Sequence, residues 1–232
     1  MTATLLLTRA DVERDLTPPA CSAAVEDAFR QHALGTVSAP GILSMHAAHG
    51  GFHVKAGFLS GYFAAKINAN FPANADLPTI QGAVILFDAS NGRPLAIMDS
   101  ISITALRTAA ATAVAAKYLA RQDCDTLLIC GCGAQAASQL DALRHVRRAR
   151  RILAYDRDRS RAAAFAKRFN ATAVEDVAAG ARSSDIVVTC TTASRYFIER
   201  EMIRPAGLSP PSARTTSPSR RSSPRCSRTP RS

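Results

Sequence analysis

The chain holds no Cys-x-x-Cys pair and no Cys/His set at zinc-ligand spacing, although it carries six cysteines. Cys21, Cys124, Cys130, Cys132, Cys190 and Cys226 are scattered, several within apolar runs. That excludes a disulfide scaffold or zinc module and predicts reduced, mostly buried thiols. No apolar stretch reaches the roughly 20 residues that a membrane helix needs. The opening "MTATLLLTRADVERD" lacks a charged n-region and a long apolar core, so no signal peptide is expected. A metal-free, soluble, cytoplasmic protein is the expectation.

Acidic residues are missing from the last 26 positions, "GLSPPSARTTSPSRRSSPRCSRTPRS", which supply six of the formal net charge of +11. Most of the remaining excess lies in "RHVRRARRILAYDRDRSR", without interleaved aromatics. This pattern reads as a solvated face, not as a specific nucleic-acid site.

Residues 8–34 carry helix signals, with Thr8 and Asp11 as cap candidates and Gly35 as a stop. From about 42 to 99, short apolar runs alternate with turn sequences, and Asn91-Gly92 marks a hairpin. This region reads as an antiparallel or mixed sheet. A long Ala-rich helix follows from about 101 to 121. Strands "TLLICG", "RILAYD" and "DIVVTCT" then alternate with helices, the pattern of a parallel α/β sheet. The fold expectation is therefore α/β: a Rossmann-type parallel sheet over 123–206 after an N-terminal α+β domain over 1–122. Residues 207–232 form a low-complexity tail.

In "TLLICGCGAQA", Gly131, Gly133 and Ala136 form a G-x-G-x-x-A pattern between a buried strand and a helix. The first glycine permits a tight turn, the second lets backbone approach a diphosphate, and Ala136 lets helix and strand pack closely. The second strand ends at Asp156, where a carboxylate can accept hydrogen bonds from a ribose. Asp156 favours NAD over NADP, although Arg157 and Arg159 soften that preference.

Two cations stand out. Arg107 lies in a helix otherwise built from Ala, Thr, Val and Leu, with Thr104 and Thr108 nearby. Burying a guanidinium there requires an anionic partner, such as a substrate carboxylate or a cofactor phosphate, unless it reaches solvent. Lys66, in "YFAAKINANF", alternates with apolar residues. Desolvated, it would have a lowered pKa and could fix a carboxylate or move a proton. Taken alone, the pattern favours an edge-strand lysine directed to water.

The stretches "AAKINANFPAN", "LPTIQGAVILFD", "NGRPLAIMDS", "ITALRTAAATAVAAKYLAR" and "GCGAQA" resemble the ornithine cyclodeaminase/mu-crystallin family from about residue 20 to Pro205. The resemblance implies NAD-dependent chemistry at an amino-acid α-carbon and a homodimer, with 1–122 as a substrate and dimerisation domain and 123–206 as a truncated NAD-binding Rossmann domain. Lys66 and Arg107 would act at the substrate. Thr79, Arg107, Ala134, Gln135, Asp156 and Thr191 would contact the cofactor. Conversion of L-ornithine to L-proline and ammonia is the implied activity. Alternatives are a cyclic imino-acid (ketimine or pyrroline-carboxylate) reductase, an alanine dehydrogenase, or a non-catalytic NAD(P)H-binding protein of the mu-crystallin type.

Two departures from the family stand out. Gly41 occupies the place of an arginine that grips the substrate carboxylate in many members. The chain also reads "RPAGLSPPSARTT" where members continue with a strand like "FIAAVGADN", whose aspartate acts as acid–base. A two-base shift over suitable codons for Ser209–Thr216 yields AAVGADN, so a frameshift near Ala206 is the expectation. The alternative is a genuine basic disordered arm that binds polyanions non-specifically. A frameshifted chain would lack the later strands and have impaired activity.

Overall fold

The computed structural model describes residues 3–193 and 195–204. The expected tail, 207–232, lies outside them, as does Cys226.

Among the described residues, ten strands form two sheets. The first holds β1 (Leu5–Leu7), β2 (Gly41–Ala47), β3 (Gly50–Leu59), β4 (Tyr62–Asn70), β5 (Ile80–Asp88) and β6 (Pro94–Asp99), in the order β1-β6-β5-β4-β3-β2. All pairs are antiparallel except β1 with β6, so the sheet is mixed. The second sheet is wholly parallel. It holds β7 (Thr126–Cys130), β8 (Arg151–Tyr155), β9 (Thr172–Ala173) and β10 (Ile186–Thr189), in the order β10-β7-β8-β9. An α/β fold with a parallel Rossmann-type sheet is therefore present.

Helices α1 (Arg9–Asp15) and α2 (Pro18–Ala33) divide the N-terminal helical stretch. Thr8 and Asp11 close a capping box on α1. The chain re-enters a helix at Thr17, whose side chain caps α2 just before Pro18 and Pro19, residues with no amide hydrogen to lose. Gly35 follows α2 at φ +70°. Between the sheets runs α3 (Ile101–Leu119), which packs on α1, α2 and β5 on one side and on α4 (Ala134–Arg144) on the other. Small side chains permit the second contact: Ala109 and Ala113 of α3 meet Ala142 of α4. Helices α5 (Arg159–Phe169) and α6 (Val177–Arg182) complete the parallel layer.

The main core lies under the second sheet, where Leu127, Ile129, Leu140, Leu143, Phe165, Ile186 and Val188 pack together. Every residue of β7 is buried, in keeping with the apolar run from Leu127 to Cys130. The first sheet is different. Residues of β3 and β4 alternate between a face that meets α3 through Lys66 and Asn68 and a face with no helix on it among the described residues. On the uncovered face Leu6 is 75 % exposed, Met45 61 %, Phe52 45 % and Ile67 40 %.

Among the described residues no helix is long and apolar enough to cross a membrane, and no cluster of His, Cys, Asp and Glu could hold a metal ion. Cys21, Cys124 and Cys130 are free and buried, whereas Cys132 and Cys190 are free and only half-buried. The basic stretch near 144–161 is largely exposed, and Arg144, Arg150, Arg159 and Arg161 form surface ion pairs. Arg147 departs from that reading. Its guanidinium donates to the carbonyls of Lys117, Ala120 and Arg121, closing the end of α3.

Candidate nucleotide and carboxylate site

The glycine loop follows β7 as a tight turn. Gly131 takes φ +92°, and a Cβ there would lie 2.8 Å from Thr191 Cγ2 and 2.9 Å from the Cys190 backbone. Only glycine fits without displacing the end of β10. Gly133 is the N-cap of α4, with no side-chain cap and nothing within 4 Å of a built Cβ. The helix start is therefore open to an incoming group. Ala136 is fully buried where α4 meets the core. Ala134 opens the helix, and the neighbouring Gln135 has a buried Oε1 without a hydrogen-bond partner.

Asp156 stands at the end of β8, half-buried. Its Oδ2 accepts from the Cys132 amide at 2.8 Å and its Oδ1 from the Asp158 amide at 2.9 Å. The carboxylate is thereby fixed beside the loop. Thr191, just past β10, closes the other side, and its Oγ1 accepts from the Ala193 amide at 3.3 Å. Six of the expected residues, Gly131, Gly133, Ala134, Gln135, Ala136 and Asp156, thus line one turn, with Thr191 against it. An open helix start, a turn that a Cβ would fill, a fixed carboxylate and an orphaned buried amide oxygen fit a dinucleotide.

A second group forms between the first sheet and α3. Lys66 lies on β4, an interior strand, so the edge-strand reading does not hold. Neighbouring strands on both sides and α3 above withdraw it from water. Its Nζ donates to Thr104 Oγ1 at 3.4 Å. Burial, then Arg107, then Lys55 push its pKa down from 10.5 to about 8. Arg107 is half-buried, and desolvation lowers its pKa too, with the nearby Cys21 sulfur, as thiolate, acting in the opposite direction. No ion pair to Arg107 exists among the described residues. The structure thus brings together Lys66, Thr104 and Arg107. Thr108 turns its hydroxyl onto the Thr104 carbonyl at 2.6 Å.

Thr79 makes no side-chain hydrogen bond to either group among the described residues. It is exposed in the turn before β5, where its carbonyl accepts from the Phe71 amide. Gly41 opens β2 in register with Ala56, not with Lys55. It therefore belongs to the alternation facing away from α3, and a side chain there would not point toward Lys66.

Several neighbours escaped the sequence reading. Asn68 is buried beside Lys66; its amide donates to Thr104 Oγ1 at 3.4 Å, and its carbonyl oxygen accepts from the fully buried Ser100 at 2.8 Å. Gly82 makes room for it, since a Cβ there would clash with the Ile67 carbonyl oxygen and lie 2.8 Å from Asn68 Oδ1. The Lys66–Asn68 spacing in "KINAN" was the available signal for a shared face. Lys55 pairs directly with Lys66 across β3 and β4. The Ser60-Gly61 turn, both residues at positive φ, sets that register.

Residues 2–209 match the model of the ornithine cyclodeaminase/mu-crystallin family. The chain belongs to that family. It is 35% identical over 206 residues to the alanine dehydrogenase of Archaeoglobus fulgidus, covering 86% of this chain and 64% of that protein. The chain thus spans a little under two thirds of that relative's length. Among solved structures, an archaeal alanine dehydrogenase dimer with bound NAD superposes at TM-score 0.82 with 34% identity, over 86% of this chain and 64% of that one. The Delta(1)-pyrroline-2-carboxylate reductase of Thermococcus litoralis, in complex with NADH and L-proline, superposes at 0.81 with 32% identity, over 89% and 68%.

Proposed function

We propose that this chain carries the nucleotide and carboxylate sites of an NAD-dependent enzyme acting at the α-carbon of an amino or imino acid. The observation that carries the reading is the half-buried pair of cations, Lys66 and Arg107, without an acidic partner among the described residues, Arg107 standing on the helix that packs against α4 of the glycine-loop layer. A small carboxylate supplies the missing charge. The relatives with bound NAD or NADH support the cofactor assignment.

The turn at Gly131–Gly133 and the start of α4 would hold the diphosphate, and Asp156 the adenosine ribose. A negative side chain at 156 disfavours a 2′-phosphate, so NAD is preferred to NADP. A nicotinamide held there would supply hydride-transfer chemistry. Arg107 and Lys66 would clamp the substrate carboxylate and so fix the α-carbon. With its depressed pKa, Lys66 Nζ can also release and regain a proton near neutral pH.

A reductase or dehydrogenase of 2-imino and 2-amino acids is the form best supported. Ornithine cyclodeamination shares the same first hydride transfer and then returns the hydride after ring closure and loss of ammonia. Absorbance of NADH separates them: a dehydrogenase accumulates NADH from NAD and amino acid, whereas cyclodeamination gives no net change while ammonia appears. Binding of NADH with no conversion of ornithine, alanine or an imino acid would instead place the chain with non-catalytic nucleotide binders.

The uncovered apolar face of the first sheet supports a homodimer, since large side chains such as Phe52 and Met45 are otherwise left in water. The free thiols support a reducing, cytoplasmic setting.

A further inference from the structure

The face of the first sheet beneath α3 carries more positive charge than one carboxylate requires. Lys55 and Lys66 are direct cross-strand partners. Their Cβ atoms therefore stand about 4.5–5.5 Å apart on a single face, an arrangement that is unfavourable for like charges. Neither lysine has an acidic partner among the described residues. Arg107 adds a third cation from above.

The next row on the same face is polar as well. His53 pairs with Asn68 and Ser44 across β3, β4 and β2. His53 Nδ1 lies 3.0 Å from Ser44 Oγ. With the hydroxyl donating to Nδ1, the ring proton sits on Nε2, which becomes the donor left for a ligand. Exposure runs in one direction: Lys66 is half-buried under α3, while Lys55 is exposed. A ligand whose α-carboxylate is held deep by Lys66 and Arg107 would thus extend its far end outward, past Lys55.

We infer that the substrate bears a second carboxylate, received by Lys55 and His53, and is therefore a 2-amino or 2-imino dicarboxylic acid. This rests on the reading of Lys66 and Arg107 as the α-carboxylate site. The same geometry opposes a diamino acid, whose terminal ammonium would meet the Lys55 ammonium. It also gives a monocarboxylate such as alanine no contact with Lys55.

The test is calorimetric titration of the intact 232-residue chain, saturated with NAD, with L-aspartate, L-alanine and L-ornithine. Aspartate is expected to bind about tenfold tighter than alanine or better, the scale of one charge-assisted hydrogen bond. Ornithine is expected to bind most weakly. Lys55→Met should bring aspartate down to the level of alanine, Lys55→Arg should keep the preference, and Lys55→Glu should turn it toward ornithine. Nucleotide binding by each variant shows that it is folded. If alanine binds as tightly as aspartate, or if Lys55→Met retains the preference, the inference is overturned while the α-carboxylate reading stands. If none of the three binds, both fall.

Discussion

The Asp156 carboxylate accepts a hydrogen bond from the Cys132 amide at 2.8 Å, tying the end of β8 to the glycine loop. One side chain therefore both braces the loop and faces the place a ribose would take. Asp156→Ser is expected to weaken NADH binding about tenfold or more, because a charge-assisted contact is lost. It should also narrow the preference for NADH over NADPH. Parallel fluorescence titrations with both nucleotides measure the two effects.

Gly131 cannot take a side chain where it stands. Gly131→Ala adds a Cβ 2.8 Å from Thr191 Cγ2 at φ +92°. The strain is expected to cost about 1–3 kcal/mol of stability, read as a lower midpoint in urea. NADH affinity should fall with it. Gly133→Ala meets open space instead and should leave stability near that of the parent, while still obstructing the nucleotide.

Lys66 links affinity to pH. A carboxylate needs the ammonium form, and burial beside Arg107 and Lys55 leaves that form with a pKa of about 8. Substrate affinity should thus be flat below pH 8 and fall above it, approaching tenfold per pH unit. The stability sign is opposite. The unfolded lysine, with its pKa near 10.5, keeps its proton where the folded one has lost it. The free protein should therefore gain stability between about pH 8 and 10.5. Lys66→Met should abolish both trends, which titration calorimetry and urea melts from about pH 6.5 to about pH 10 would show.

The uncovered face of the first sheet gives a prediction of assembly. Ile67 and Phe52 lie on it at 40 % and 45 % exposure. Ile67→Arg places a charge at its middle and should shift the chain from dimer to monomer in sedimentation velocity. A wild-type chain that sediments as a monomer at micromolar concentration would remove the dimer proposal.

Much of this was legible before any coordinates. The run at β7, the glycine pattern and Asp156 are local in sequence, so period and turn chemistry suffice to place them. Lys66 was harder. Its burial depends on strand order, because only the pairing of β4 with both β3 and β5 makes it interior, and single-strand alternation is silent about neighbours. The Lys55–Lys66 pairing was encoded in the Ser60-Gly61 turn, from which the register counts outward. Strand β1 pairs in parallel with β6 across some ninety residues, a contact that no local pattern announces. Helix α6 is too short for its apolar period to show, and its Asp176 cap was the one cue. Thr79 is expected at the cofactor through resemblance alone, and its one described hydrogen bond is the backbone contact with Phe71.

The central claim is that the turn after β7 and the carboxylate ending β8 form a nicotinamide-dinucleotide site. Its most direct test is titration of the purified chain with NADH, followed by nucleotide fluorescence, alongside NADPH and the Gly131→Ala variant. Saturable binding of NADH, weaker binding of NADPH and loss of both in the variant are the expected results. No saturable binding of either nucleotide by the folded chain would contradict the account.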